Sequence, residues 1–227
     1  MKSCAFFDVD HTLINGSTGT ETAKEAVKTG IIPPLMLLRI PMLYLKYRTG
    51  FFAPSILEKL LCFLEGMHIE ELRKLGSKVF EKSLSPRIFT EAVSAVEYER
   101  GLGREVVLAT SSLACIVEPL ADYLGVEKII ATEIETKEGR ITGRFEGVPA
   151  FGEGKHRKTA VFMKDAGIDP EKCSFYSDSH YDLPLLKRVG EPAAVNPDRR
   201  LRREAERRNW RIYNYKATLS RNGGGSG

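Results

Sequence analysis

The sequence lacks any CxxC pair, any His/Cys cluster and any clean apolar run of transmembrane length. Cys4, Cys62, Cys115 and Cys173 are irregularly spaced, so nothing in their pattern points to zinc. Reduced thiols in a cytoplasmic compartment are the simpler expectation, and MKSCAFFDVD at the start carries charges and no apolar region of signal-peptide type. The most apolar stretch, Ile31 to Tyr47, is interrupted by Pro33, Pro34, Arg39, Pro41 and Lys46. It falls short of the roughly 20 apolar residues a spanning helix needs. An excess of one charge sign is missing too. The 34 Lys+Arg and 30 Asp+Glu leave a net charge of +4 spread over both halves, too weak to imply a nucleic-acid partner. With 42% apolar and 28% charged residues, disorder, collagen and coiled coil are excluded. A chain of 227 residues buries enough surface for one large soluble globular domain, or a core with a smaller inserted unit.

What is present alternates. Cys4 to Val9 is a short apolar run ending among acidic residues, as a buried parallel strand does. From Ser17 to Leu84 helical periods dominate, including Ser55 to Leu64, with Pro and Gly breaks and no convincing strand. After Pro86 the reading is helix Arg87–Arg100, strand Glu105–Thr110, helix Leu113–Leu124 and strand Lys128–Thr132. A hairpin over 133–147, helix Lys155–Ala166, strand Cys173–Asp178, short helix Leu183–Val189, a final strand Ala193–Val195 and a closing helix Asp198–Arg208 follow. Such alternation predicts an α/β fold: a Rossmann-like, doubly wound parallel sheet with ligands at the carboxyl ends of its strands. The expected core is 1–16 plus 85–215, with an inserted helical cap over 17–84 covering the site. The tail 222–227 reads as a flexible linker.

The strand ends carry the chemistry. Asp8-Val-Asp10-His-Thr12 follows the first strand, Thr110-Ser111-Ser112 the second, and Asp178-Ser-His-Tyr-Asp182 the strand after the Lys155 helix. Four carboxylates in one crevice repel unless a cation is present, and hard oxygen ligands favour Mg²⁺ over zinc. Asp8, ionised at neutral pH, is suited to attack phosphorus without a separate base. Asp10 is suited to protonate the leaving oxygen and then activate water. Thr110 is a donor for a phosphoryl oxygen, and Lys155 offsets the charge of phosphate and carboxylate.

At these residues the chain resembles the haloacid dehalogenase superfamily of phosphatases, in its phosphoserine-phosphatase-like branch. Asp8-Val-Asp10-His-Thr12-Leu matches DxDxT, Val107-Leu-Ala-Thr110 the second motif, Gly154-Lys155 the third and Ser177-Asp178-Ser-His-Tyr-Asp182 the fourth. The resemblance implies Asp8 as nucleophile, Asp10 as general acid/base, and Mg²⁺ held by Asp8, the Asp10 carbonyl and Asp178. Asp182 would support that shell through a metal-bound water or Lys155. The second Asp favours phosphate esters over haloacids. One departure stands out: where phosphoserine phosphatases carry a Glu that meets the substrate's amino group, this chain has Ser17, with Glu21 four residues further on. His11 stands where Gly or Ser is common.

Several residues have plainer readings. Asp10 and Thr12 also suit a turn, and Ser111 and Ser112 suit a cap for the next helix or, through a backbone N–H, a phosphate contact. Lys155 is better placed than Lys158, which reads as a solvated surface residue, and His11 and His180 read as exposed loop residues. Ile31–Tyr47 reads as cap interior, or as an Arg39/Lys46/Arg48-rimmed surface for a lipid-like substrate or peripheral membrane contact. The Arg199–Arg208 run, with Asp198, Glu204 and Glu206, reads as a solvated helix face. The expected function is Mg²⁺-dependent hydrolysis of a small-metabolite or lipid phosphate monoester. The rivals are a receiver-like phospho-aspartate domain, whose acceptor Asp ends an internal strand in a chain half as long, and a non-catalytic phosphate-binding protein.

Overall fold

A computed structural model of the chain describes residues 2–35 and 61–222. Most of the apolar stretch 31–47, with Arg39, Lys46 and Arg48, the first part of the 55–64 helix and the glycines of the tail lie outside the described residues. Eight strands are described: β1 (Cys4–Phe7), β2 (Glu105–Leu113), β3 (Lys128–Thr132), β4 (Ile134–Lys137), β5 (Arg140–Phe145), β6 (Ser174–Ser177), β7 (Glu191–Val195) and β8 (Arg211–Tyr213). The helices that matter below are α1 (Thr18–Lys28), α2 (Ile69–Val79), α3 (Thr90–Gly101), α4 (Ala114–Leu124), α5 (Glu153–Ala166), α6 (Leu183–Leu186) and α7 (Arg199–Arg207).

Six strands form one parallel sheet in the order β3-β2-β1-β6-β7-β8. A strand in the middle of a parallel sheet is covered on both faces, which is why all four β1 residues are apolar and buried. Their alternation divides the interior in two. Ala5 and Phe7 join the layer containing Ala92 and Val96 of α3 and Val117 and Leu120 of α4. Cys4 and Phe6 join the opposite layer with Met163 of α5 and Leu201 and Ala205 of α7. Helices α4 and α5 stop at Gly125 and Gly167, both in the left-handed conformation that glycine adopts without steric cost.

The sheet does not end at β7, as the sequence pattern suggested. β8 pairs in parallel outside it, from Ala193–Arg211 to Val195–Tyr213. Three residues at a sheet edge, only half-buried, give no run long enough to stand out from the loop.

Beyond its first helix, the insertion between β1 and β2 is tied to the rest of the fold through a hairpin and a close helix contact. Hairpin β4–β5 turns at Glu138-Gly139, both at positive φ, and presents its backbone to residues 66–69. Gly66 N donates to Ile141 O, Ile69 N to Gly139 O and Ile141 N to Met67 O, each at 2.9 Å. Beside it α2 packs on α4 at Gly76, where a Cβ would lie 2.8 Å from the Cys115 carbonyl oxygen and 3.1 Å from Ile116 Cα. Arg73 on α2 also reaches Glu118 on α4 at 2.6 Å.

That close approach sets a prediction. Alanine at position 76 gains about 1 kcal/mol of helix propensity. The backbone clash outweighs it, so Gly76→Ala should be about 1–3 kcal/mol less stable. Urea unfolding should show a lower midpoint with unchanged slope. A midpoint at or above wild type would mean that α2 and α4 separate freely.

Candidate active site

The carboxyl ends of β1, β2 and β6 and the start of α5 meet at a cavity of about 1120 Å³. Asp8, Asp10, Ser111, Lys155, Asp178 and Asp182 all line it, although as many as 174 positions separate them in the chain. Asp8 continues β1, its amide donating to Tyr176 O at 2.9 Å. The chain then folds back sharply, and the amides of Thr12, Leu13 and Ile14 all donate to Val9 O. This turn places His11 at φ 58°, a left-handed conformation. Such a backbone suits glycine, and histidine is among the side chains that tolerate it.

Lys155, in the first turn of α5, is almost completely buried and lies between two carboxylates. Its Nζ donates to Asp8 Oδ1 at 2.9 Å and to Asp182 Oδ2 at 2.8 Å. Burial works against the ammonium charge, but Asp182 and Asp8 outweigh it and hold Lys155 firmly protonated. Asp182 Oδ2 also accepts the Ser177 hydroxyl at 2.7 Å. Burial pushes Asp8 up to about 7, against the pull of Lys155 and with the help of Asp182 and Asp10. Asp178 is raised well above the usual carboxylate range by burial and by the charges of Asp8 and Asp182. One ammonium is too little positive charge for this group.

Asp10 turns to the inserted helix: its Oδ1 accepts the amide of Thr18, the first residue of α1 and one of the donors that a helix start leaves without a backbone partner. Thr18 and Ser112 share a hydrogen bond between their hydroxyls. The entrance to the cap helix is therefore fastened to both the β1 loop and the end of β2.

The end of β2 differs from the expected strand-then-cap pattern. β2 runs on to Leu113, with its register against β3 shifting between Ala109 and Leu113. An irregularity of this kind redirects side chains. Ser111 and Ser112 belong to it and do not cap α4, whose start carries no side-chain cap. Thr110 lies buried behind the lining, its hydroxyl accepting the Ser112 amide at 3.1 Å. The Thr12 hydroxyl is also buried and has no hydrogen-bond partner. Lys158 is not a solvated residue; it is half-buried and donates to Ala131 O of β3 at 2.8 Å. His180 is also engaged, its Nδ1 lying 2.7 Å from Asp198 Oδ2.

Asp198 is the residue that sequence reasoning missed. One oxygen accepts the amides of Arg200 and Leu201 and so caps α7, while the other accepts the amide of His180. Its own amide donates to Asp178 O at 2.8 Å. The carboxylate thus fixes the loop that presents Asp178. A capping Asp before a helix was legible in Asn196-Pro197-Asp198. The contact to a loop about 20 residues earlier was not. Ser17 is the N-cap of α1, and Glu21 is held by Lys24 at 2.8 Å and Arg87 at 3.1 Å.

Among the described residues, no cluster of three or more His, Cys, Asp and Glu side chains forms a metal cage. The donors that line the crevice are hard carboxylate oxygens, Asp8, Asp10 and Asp178 among them. Magnesium, which keeps several waters and needs only one or two carboxylates, is the divalent ion this set suits.

Residues 5–187 match the haloacid dehalogenase-like hydrolase family, and the chain belongs to it. It is 32% identical to the inhibition of morphological differentiation protein of Streptomyces azureus, over 94% of this chain and 79% of that one. It is also 32% identical to a histidinol-phosphatase of Neisseria meningitidis serogroup C, over 95% of this chain and 100% of the relative. A Bordetella pertussis Tohama I protein of unknown function superposes with a TM-score of 0.85 at 30% identity, over 94% of this chain and 98% of that chain. A phosphoserine phosphatase carrying a phospho-aspartyl intermediate analogue shares the fold, with a TM-score of 0.70 at 21% identity over 97% and 96% of the two chains. Among the described residues, no helix is long and apolar enough to cross a membrane.

Removing the ammonium should expose the charge imbalance. In metal-free protein, Lys155→Met leaves Asp8 and Asp182 buried without a counter-ion, a loss of about 3–5 kcal/mol near pH 7. Asp8, already raised by burial, then loses the Lys155 charge that lowers it, so stability is fullest at low pH and drains away as pH rises through its folded pKa. Urea unfolding should therefore show a smaller deficit against wild type at pH 5 than at pH 8. A deficit that grows on acidification would contradict the assignment.

Proposed function

We propose that the protein hydrolyses phosphate monoesters through an aspartyl-phosphate on Asp8. The observation that carries this reading is Lys155 held between Asp8 and Asp182, at the same cavity as Asp10 and Asp178. The names of its relatives, histidinol-phosphatase and, at 28% identity, the phosphoserine phosphatase SerB1 of Mycobacterium tuberculosis, support the reaction class. The core would be 1–16 with 85–215 and the cap 17–84, which shields the intermediate from untimely water.

In this scheme the Asp8 carboxylate attacks phosphorus while the ester oxygen departs from the opposite side. Asp10, oriented by the Thr18 amide, gives its proton to that oxygen. It then takes a proton from the water that attacks phosphorus and releases inorganic phosphate, restoring Asp8. Ser111 and Lys155, which line the cavity, hold the phosphoryl oxygens; Thr110, expected to do so, sits behind the lining and instead braces the end of β2 through the Ser112 amide, and Thr12 packs beneath the loop. Mg²⁺, held by Asp8, the Asp10 carbonyl and Asp178 and supported by Asp182, would neutralise phosphate charge that otherwise repels the nucleophile.

The substrate-binding group of the branch is not reproduced. Ser17 is engaged as a helix cap and Glu21 is paired with Lys24 and Arg87, so neither offers a free carboxylate to an ammonium group. This argues against phosphoserine.

Release of phosphate from p-nitrophenyl phosphate should require a divalent cation and stop on chelation. Asp8→Asn should fall to background, and Asp10→Asn should lose about 10²–10⁴ in kcat. Turnover by Asp8→Asn, or full activity in chelator, would refute the scheme.

A further inference from the structure

We propose that the preferred substrates are phosphate monoesters of long-chain, uncharged alcohols. This rests on the hydrolase reading above and specifies its substrate. The crevice as a whole, from Arg199, Arg200 and Lys216 at one side to the inserted helices at the other, measures about 1120 Å³ and reaches well past the acidic strand ends. Its lining also changes character along one helix. Thr18, Thr22 and Ala26 recur every four residues and so form one stripe of α1 along the cavity wall. The stripe covers ~12 Å, starting where Thr18 holds Asp10 and ending among aliphatic side chains. Ile32, Leu64, Leu72 and Leu75 line that far end.

An apolar end continuous with a phosphate-reactive end suits a substrate that carries a tail. Between the two ends Thr22 lines the wall, its hydroxyl buried without a hydrogen-bond partner. Nothing along the stripe suits an ammonium group. Among the described lining residues, every carboxylate is an aspartate outside α1. Glu21 and Glu25 of α1 are paired with Lys24 and Arg87 and with Lys78.

The test is a series of ethyl, butyl, hexyl and octyl phosphates below their micellar concentrations, with phosphoserine and histidinol phosphate as ammonium-bearing comparators. For wild type with Mg²⁺, kcat/KM should rise about three- to fourfold per methylene. Octyl phosphate should exceed both comparators at least about a hundredfold. Ala23→Phe, which narrows the chamber wall, should cut the octyl-to-ethyl ratio at least about tenfold. A flat series, a comparator matching octyl phosphate, or an undiminished ratio in Ala23→Phe would overturn this inference while leaving the hydrolase reading intact. Failure to cleave any ester, p-nitrophenyl phosphate included, would overturn both.

Discussion

The site depends on one buried ammonium group placed between two carboxylates. Lys155 reaches Asp8 and Asp182 at 2.9 and 2.8 Å, and all three are buried. Removing such charges from water costs several kcal/mol per ion, which only close pairing offsets. The arrangement holds one Asp8 oxygen in place, and it still leaves the pocket short of positive charge, since Asp178 and Asp10 also line it. A divalent cation fits this imbalance. Burial, helped by the charges of Asp182 and Asp10 and opposed by Lys155, pushes Asp8 up to about 7.

The fold exists around that point. A parallel sheet brings all its carboxyl strand ends to one edge. β1 is flanked by β2 and β6, so the acidic loops and the hydroxyl-rich end of β2 meet beside the start of α5. The helical insertion leaves from the same edge, and its first amide holds Asp10. The start of the inserted helix and the Asp10 side chain are therefore joined at Thr18. The β4–β5 hairpin and the Gly76 contact fasten the insertion at its other end.

Much of this was legible in the sequence, because buried strands and acidic loops are local patterns. The run Cys4–Phe7 before Asp8, the strand leading to Thr110 and the glycine-stopped helix after Lys155 all lie in contiguous residues. The parts that escaped depend on distant partners. Glu21 is committed by Arg87, 66 residues away, and Lys158 by the Ala131 carbonyl. Asp198 read as part of a solvated helix face, and its second oxygen's service to the Asp178 loop appears only once β6 and β7 lie side by side. Ser111 and Ser112 looked like cap residues because polar side chains rarely continue a buried strand. The register shift in β2 is what accommodates them.

The most direct measurement is chemical trapping of the intermediate. Enzyme quenched during turnover of a phosphate ester and reduced with borohydride should carry homoserine at position 8 alone, read by peptide mass spectrometry, and none without substrate. Reduction at another aspartate, or at none while phosphate is being released, would contradict the account.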